Sequence, residues 1–456
     1  MHQWQAYLDD HQDEFLNDLR TFLSIPSVSS LSRHRNDVQQ AADWVATRME
    51  KAGIEAVRVL ATHGHPVVYG HCLQQPDKPT IVIYGHFDTQ PVDPVEEWTH
   101  PPFDPVVTED RIYARGASDD KGNMLIPILT TEAILKTGGK LPINVKFFFE
   151  GQEEIGSPDL PAFMDDHKAL FACDMVISAD GGQWGEDQPS VIMGLRGLCG
   201  VQIDITGADS DLHSGTYGGT IMNPIHALCR LLSSLHQSDG RVAVHGFYDD
   251  VLPVTDAQGR HISAIEFDER QYCDAIGAGG LFGEKGYSTY ERAWVRPTLE
   301  VNGIWGGFQE EGTKTVLPSQ AHAKITCRLV PNQDPDQIVD LIHTHINKYM
   351  PDEVQVSVTP IKSKALPYLV PEDHPGNRAV ASVYRQIYSK SPYYAQMGGS
   401  VPICGLFLEK MKVYTIVFAF GLNDENIHAP DEFFRLGNFR KGLTAYGLLF
   451  ESLAGQ

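Results

Sequence analysis

Thr80-Ile81-Val82-Ile83-Tyr84-Gly85-His86-Phe87-Asp88 is the stretch from which the rest of the chain can be read. Its apolar run is short and does not alternate, which marks a strand buried on both faces, as in a parallel sheet covered by helices. The run ends in a histidine and an aspartate two positions apart, and extended side chains at that spacing share a face. In open α/β sheets the carboxyl ends of the strands form the crevice where ligands bind. NVKFFFEGQEEIGS (144–157) repeats the pattern and ends in Glu153 and Glu154. DMVISADGG (174–182) ends on Asp180, and VYTIVFAFGLNDENIHAPDE (413–432) reaches His428. A fifth cluster, Asp119 and Asp120 in RGASDDKGN (115–123), precedes a helical pattern from Met124 to Leu135.

Strands that deliver imidazole and carboxylate groups to one sheet edge supply what a metal site needs. At 119–120 one aspartate can cap the helix, which leaves the other to bridge two ions. Lys121 beside them is expected in solvent or at the cap. Glu153 and Glu154 are neighbours in extended chain and point opposite ways. One can ligate while the other faces substrate as general base, and spacing does not say which. His86, His428, one bridging aspartate, one glutamate and Asp180 give each of two ions a histidine, a terminal carboxylate and a shared aspartate. That nitrogen and oxygen set suits zinc, with manganese or cobalt also accommodated. Paired ions of this kind activate water for amide hydrolysis.

The remaining pattern organises the chain around these clusters. At 456 residues it is long enough for two domains. Helical spacing at 11–22 and 37–52 and strand patterns at 56–60 and 67–72 continue a βαβ-rich layout. Pro127 fits the 124–135 helix only in its first turn or at a kink. From 198 the character changes: strands are predicted at 198–206, 298–301, 321–330 and 354–358, with helices at 223–235 and 336–349. This reads as an α/β sandwich inserted between the Asp180 and His428 clusters. The expected division is a first catalytic part at 1–194, an inserted lid and dimerisation domain at 195–362, and a second catalytic part at 363–456. The 237–290 segment between the insert's elements reads as a long Gly-rich loop.

Composition excludes several classes. With 36 Lys and Arg against 59 Asp and Glu the net charge is −23, so no basic footprint exists for nucleic acid. No apolar run approaches the roughly 20 residues of a membrane span. The opening MHQWQAYLDDHQDEF lacks the basic and apolar regions of a signal peptide, which points to the cytoplasm. Seven scattered cysteines without a CxxC pair are no disulfide framework. Those in FACDMVI (Cys173) and ALCRLL (Cys229) read as buried small hydrophobes, and the compartment as reducing.

GHFDTQPV (85–92), RGASDDKG (115–122), EGQEEIGS (150–157) and NIHAPDE (426–432) together resemble the motifs of the cocatalytic zinc dipeptidase and aminoacylase family. The family includes carnosinase-type dipeptidases, acetylornithine deacetylase and succinyl-diaminopimelate desuccinylase, and the resemblance extends over essentially the whole chain from LSIPSVS (23–29). It implies a zinc-peptidase-like, mostly parallel sheet flanked by helices, with a ferredoxin-like lid. It assigns His86 and Asp180 to one metal, Glu154 and His428 to the other, and Asp119 to the bridge, through a cis peptide to Asp120. Glu153 becomes the general base and Asp88 the partner that orients a ligand.

In the insert, DLHSG supplies His213, which in the family reaches across a homodimer to polarise the scissile carbonyl. GTKTVLPSQAHAKITCRLVP supplies Thr315 and Arg328, and GGSVPICGLF supplies Gly399 and Ser400, with Arg328 and Ser400 resembling the groups that bind the substrate's carboxylate. The implied activity is hydrolysis of small dipeptides by a hydroxide bridging two divalent metals. Deacylation of N-acyl amino acids on the same core is the alternative. A non-catalytic binding protein is disfavoured, because none of the seven metal-core positions is substituted.

Overall fold

The computed structural model describes residues 2–399 and 401–455, and these fall into two compact units. The first gathers the chain up to Met193, Val370–Tyr394 and the stretch from Leu406 onward. Its centre is a six-stranded sheet. Thr80–His86 lies between Asn144–Glu150 and Met175–Ser178 and runs parallel to both, with Ile83 opposite Phe147 and Ile177. Thr415–Val417 extends the parallel part beyond Met175–Ser178. Glu55–Leu60 and Val67–Cys72 close the other edge as an antiparallel pair. All seven residues of Asn144–Glu150 are buried, as an apolar run covered on both faces must be.

Helix Lys121–Gly138 begins immediately after the paired aspartates and packs against Gln3–Asp10, Arg35–Ala52 and Leu436–Ala454. Every residue from Lys121 to Ile134 is buried, so it is a core helix without a solvent face. It starts three residues earlier than its apolar spacing predicts. It also runs through Pro127 in its interior rather than holding that residue in the first turn.

The second unit comprises Gly194–Leu369 and Ala395–Gly405. Its four-stranded antiparallel sheet is ordered Thr298–Gly306, Gln320–Leu329, Gly197–Thr206, Gln355–Pro360. Val201, Ile203 and Ile205 alternate with half-exposed Gln202, Asp204 and Thr206. Their buried face joins Leu228 and Leu231 of helix Pro224–Ser234 and Ile338, Ile342 and Ile346 of helix Pro335–Tyr349 in one core. The 237–290 segment is not a structureless loop. It carries helices Asp256–Ser263 and Glu269–Ile276, capped by Thr255 and Asp268, which are too short for periodicity to announce.

Among the described residues no cysteine forms a disulfide, and Cys173 and Cys229, expected to be buried, are the two that are not. Cys229 sits on the outer face of helix Pro224–Ser234, where apolar neighbours in sequence are not neighbours in space. Among the described residues no helix is long and apolar enough to cross a membrane.

Candidate metal centre

The parallel strands of the first unit bring the acid and imidazole clusters together at their carboxyl ends. His86, fully buried at the end of its strand, has Nε2 3.0 Å from Asp119 Oδ1. His428 places Nε2 3.0 Å from Asp119 Oδ2 and 3.2 Å from Glu154 Oε2. Two groups could each hold a cation: His86 with Asp119 and Asp180, and Asp119 with Glu154 and His428, with ligand atoms inside 4.8 Å in each group. Asp119 belongs to both and turns one oxygen toward each histidine. The peptide between Asp119 and Asp120 is cis.

Asp120 stands at the N-cap of the helix that follows, but its side chain makes no capping hydrogen bond. Asp120 instead accepts the His86 backbone N–H on Oδ2 at 3.1 Å, which fixes the strand end. Gly85 is what admits it: a Cβ there would lie 2.6 Å from that oxygen. Asp120 Oδ1 is buried with no hydrogen-bond partner. Asp88, also buried, accepts the N–H groups of Glu153 at 3.2 Å and Glu154 at 3.1 Å. Its Oδ1 stands 3.4 Å from His86 Nδ1. Gln90 donates to Glu154 Oε2 at 2.8 Å.

The electrostatics are those of a site short of positive charge. Burial pushes Asp180 up to about 7, with Asp119 and Glu154 adding to it against His86 and His428. Burial also raises Glu153 well above the usual carboxylate range, with Asp180, Glu154 and Asp119 reinforcing it and His86 opposing. Burial acts to raise Asp119 as well, but hydrogen bonds from His428 and His86 outweigh it and hold that carboxylate low. Asp119 and Glu154 raise His428 to about 10. Crowded carboxylates, an unpartnered buried oxygen and two facing imidazoles fit the nitrogen and oxygen coordination of divalent cations.

Several neighbours carry no signal in the sequence pattern. Lys121, expected in solvent, is buried: its Nζ donates to the carbonyls of Ile25 at 2.7 Å and Phe22 at 3.3 Å, and burial pushes it down to about 7. Those carbonyls lie nearly a hundred positions away, so nothing local reveals them. Glu432 and Glu425, flanking His428, are buried and turn toward the 115–119 segment.

The second unit holds the other expected residues. His213 is exposed and accepts the Gly215 N–H on Nδ1 at 3.0 Å. Leu212–His213 pairs with Val316–Leu317, and Thr315 O accepts the Ser214 N–H at 3.0 Å, so His213 and Thr315 are neighbours. Arg328 lies on the sheet opposite Leu198 and Thr298, half-buried, with burial lowering its pKa. Gly399 O accepts the Arg196 N–H at 3.1 Å. Ser400 lies outside the described residues. Arg196, not anticipated from sequence, donates Nε to Gly398 O at 3.0 Å. Burial and Arg328 bring its pKa down to about 10.

A parallel α/β sheet with two histidine–carboxylate groups sharing one aspartate at its strand ends defines a metal-dependent hydrolase. Residues 82–452 match peptidase family M20/M25/M40, and the chain belongs to that family. It is 30% identical to the Cys-Gly metallodipeptidase dug1 of Schizosaccharomyces pombe, over 98% of this chain and 97% of that one. It is 28% identical to the human β-Ala-His dipeptidase, over 98% and 92%. An M20 family metallo-carboxypeptidase from Sulfolobus solfataricus superposes with a TM-score of 0.85 at 30% identity, covering 97% of this chain and all of that one.

Proposed function

We propose that this enzyme is a dinuclear metallodipeptidase that hydrolyses the amide bond of small dipeptides. The observation that carries the reading is the carboxylate of Asp119, with Oδ1 on the His86 side and Oδ2 on the His428 side. His86, Asp119 and Asp180 would hold one divalent ion, and Asp119, Glu154 and His428 the other; zinc suits the donors, and manganese or cobalt could replace it. When bound, such a pair lowers the pKa of water and polarises the substrate carbonyl.

The chain's own residues do the rest. Glu153, held by its backbone on Asp88, takes the proton of the attacking water and returns it to the leaving amine. Arg328, through its guanidinium fork, and Ser400 are assigned to the substrate carboxylate, and Gly399 and Thr315 to substrate binding. His213 donates from Nε2 to the developing oxyanion. We assign that histidine to the partner subunit of a homodimer built on the inserted domain. Exposed Val301 and Ile304 on the edge strand Thr298–Gly306 support that surface. Cysteines that form no disulfide suit a reducing, cytoplasmic compartment.

The test is hydrolysis by metal-stripped protein with zinc or manganese restored, on Cys-Gly, β-Ala-His, their N-acetylated forms and an amino-acid amide. Cleavage of the free dipeptides alone is expected. Preference for the acetylated forms would reassign the enzyme as a deacylase, and inactivity on every compound with both ions bound would overturn a catalytic role on these substrates.

A further inference from the structure

His428 sits in a loop that does not hold its shape unaided. Asn426, His428 and Asp431 all have positive φ, at 54°, 63° and 55°, where residues with a Cβ stay only if their surroundings keep them there. Two buried glutamates bracket the loop. Glu432, 1% exposed, accepts the N–H groups of Ser118 at 3.0 Å and Asp119 at 3.1 Å on Oε1. Its Oε2 accepts Gly116 N–H at 2.9 Å and Arg115 Nη1 at 2.8 Å. Glu425, fully buried, accepts Ser118 Oγ at 2.6 Å and Leu422 N–H at 2.9 Å on Oε2, and Arg435 on Oε1 at 3.1 Å.

We infer that Glu432 is the positioning residue of this centre. Its carboxylate gathers the 115–119 backbone so that Asp119 presents one oxygen to each histidine, and Glu425 secures the same segment from the other end of the loop. The inference rests on the reading of Asp119 as the shared ligand. A carboxyl group is required because all four groups facing Glu432 are donors, and it offers an oxygen acceptor at both positions where an amide offers one. A glutamine would turn its NH2 on a buried N–H or on Arg115 and leave a donor unmet. Arg115 balances the buried charge.

The experiment is zinc titration of stripped protein against a chromophoric chelator. Wild type should take up two ions; failure to do so would reject the metal reading itself. Folded Glu432→Gln should bind zinc about 10–100-fold more weakly, the loss typical when a ligand's support is removed, and should recover turnover as zinc is raised. Glu132→Gln controls for general destabilisation. Glu132 is equally buried, on Tyr7 and Arg48, and lies about 18 Å along the helix from the aspartates. This control should keep wild-type zinc affinity. Affinity within twofold of wild type in Glu432→Gln, or an equal loss in Glu132→Gln, would overturn the inference. Should Glu432→Gln not fold, Glu432→Asp serves in its place, its shorter side chain drawing the carboxylate back from the 115–119 N–H groups. Weakened zinc binding by that variant supports the inference, and unchanged binding overturns it.

Discussion

Asp88 accepts the backbone N–H of Glu154 at 3.1 Å while its other oxygen stands 3.4 Å from the imidazole of His86. One carboxylate therefore reaches both the imidazole at the end of one strand and the acid pair beyond the next. Asp88→Asn keeps the size but can turn an NH2 on a backbone N–H. Lost support of this kind costs about 10–100-fold in metal affinity or activity. Zinc titration together with kcat/KM should show that loss, and a variant within twofold in both would deny Asp88 the role.

Glu153 and Glu154 separate in the same way. Gln90 and His428 hold Glu154, whereas burial leaves Glu153 with a raised pKa, next to the site. Glu153→Gln should keep zinc and lose about 10²–10⁴ in kcat, the usual contribution of a general base. Glu154→Gln should lose zinc first, with its activity returning at high metal. Reversal of the two patterns would exchange their roles.

Local pattern carried the strands and the acid clusters because each is a run of adjacent residues. The buried Thr80–His86 and Asn144–Glu150 strands announce themselves by unbroken apolarity. What local pattern could not carry was long-range pairing. Lys121 looks solvated until the carbonyls of Phe22 and Ile25 are brought over it. Glu432, four residues after His428, looks like one more surface acid until it meets the N–H groups of Ser118 and Asp119. The return of Ala395–Gly405 to the second unit likewise has no periodicity to mark it. Glu153 and Glu154, expected in extended chain, instead open a 3-10 turn over Glu153–Ile155, and only the groups brought opposite them, Gln90 and His428 on Glu154, tell the two apart.

Metal removal should cost stability as well as activity. Asp119, Asp120, Glu153, Glu154 and Asp180 crowd around two histidines, and a cation relieves that crowding only in the folded chain. A ligand at a thousandfold excess over its Kd adds about 4 kcal/mol to the folded state. Stripping with a chelator should therefore lower Tm by several degrees, and zinc should restore it. An unchanged Tm would mean that the ions are not bound by the folded site.

His345 gives the inserted domain an acid limit. Its Nε2 lies 2.9 Å from Ser234 Oγ, joining helices Pro335–Tyr349 and Pro224–Ser234, and burial holds its pKa below 6.5. The unfolded chain takes up this proton first, so the contribution is complete above pH 6.5 and is lost as pH falls through the depressed value. His345→Gln should flatten that part of the stability profile in urea melts between pH 7.5 and 5. A parallel wild-type profile would exclude the histidine as its source.

His213 accepts the Gly215 N–H on Nδ1, so that nitrogen carries a lone pair and the neutral ring bears its proton on Nε2. The free edge of the ring is then a donor, as an oxyanion partner must be. His213→Ala should keep zinc and lose about 10²–10³ in kcat, as removal of one oxyanion donor does. Mixing inactive His213→Ala with inactive Glu153→Gln decides whose site the histidine serves. If it acts on the partner subunit, a mixed dimer contains one site with both groups intact and activity reappears. If it acts within its own subunit, each site of the mixed dimer keeps one lesion and the mixture stays silent.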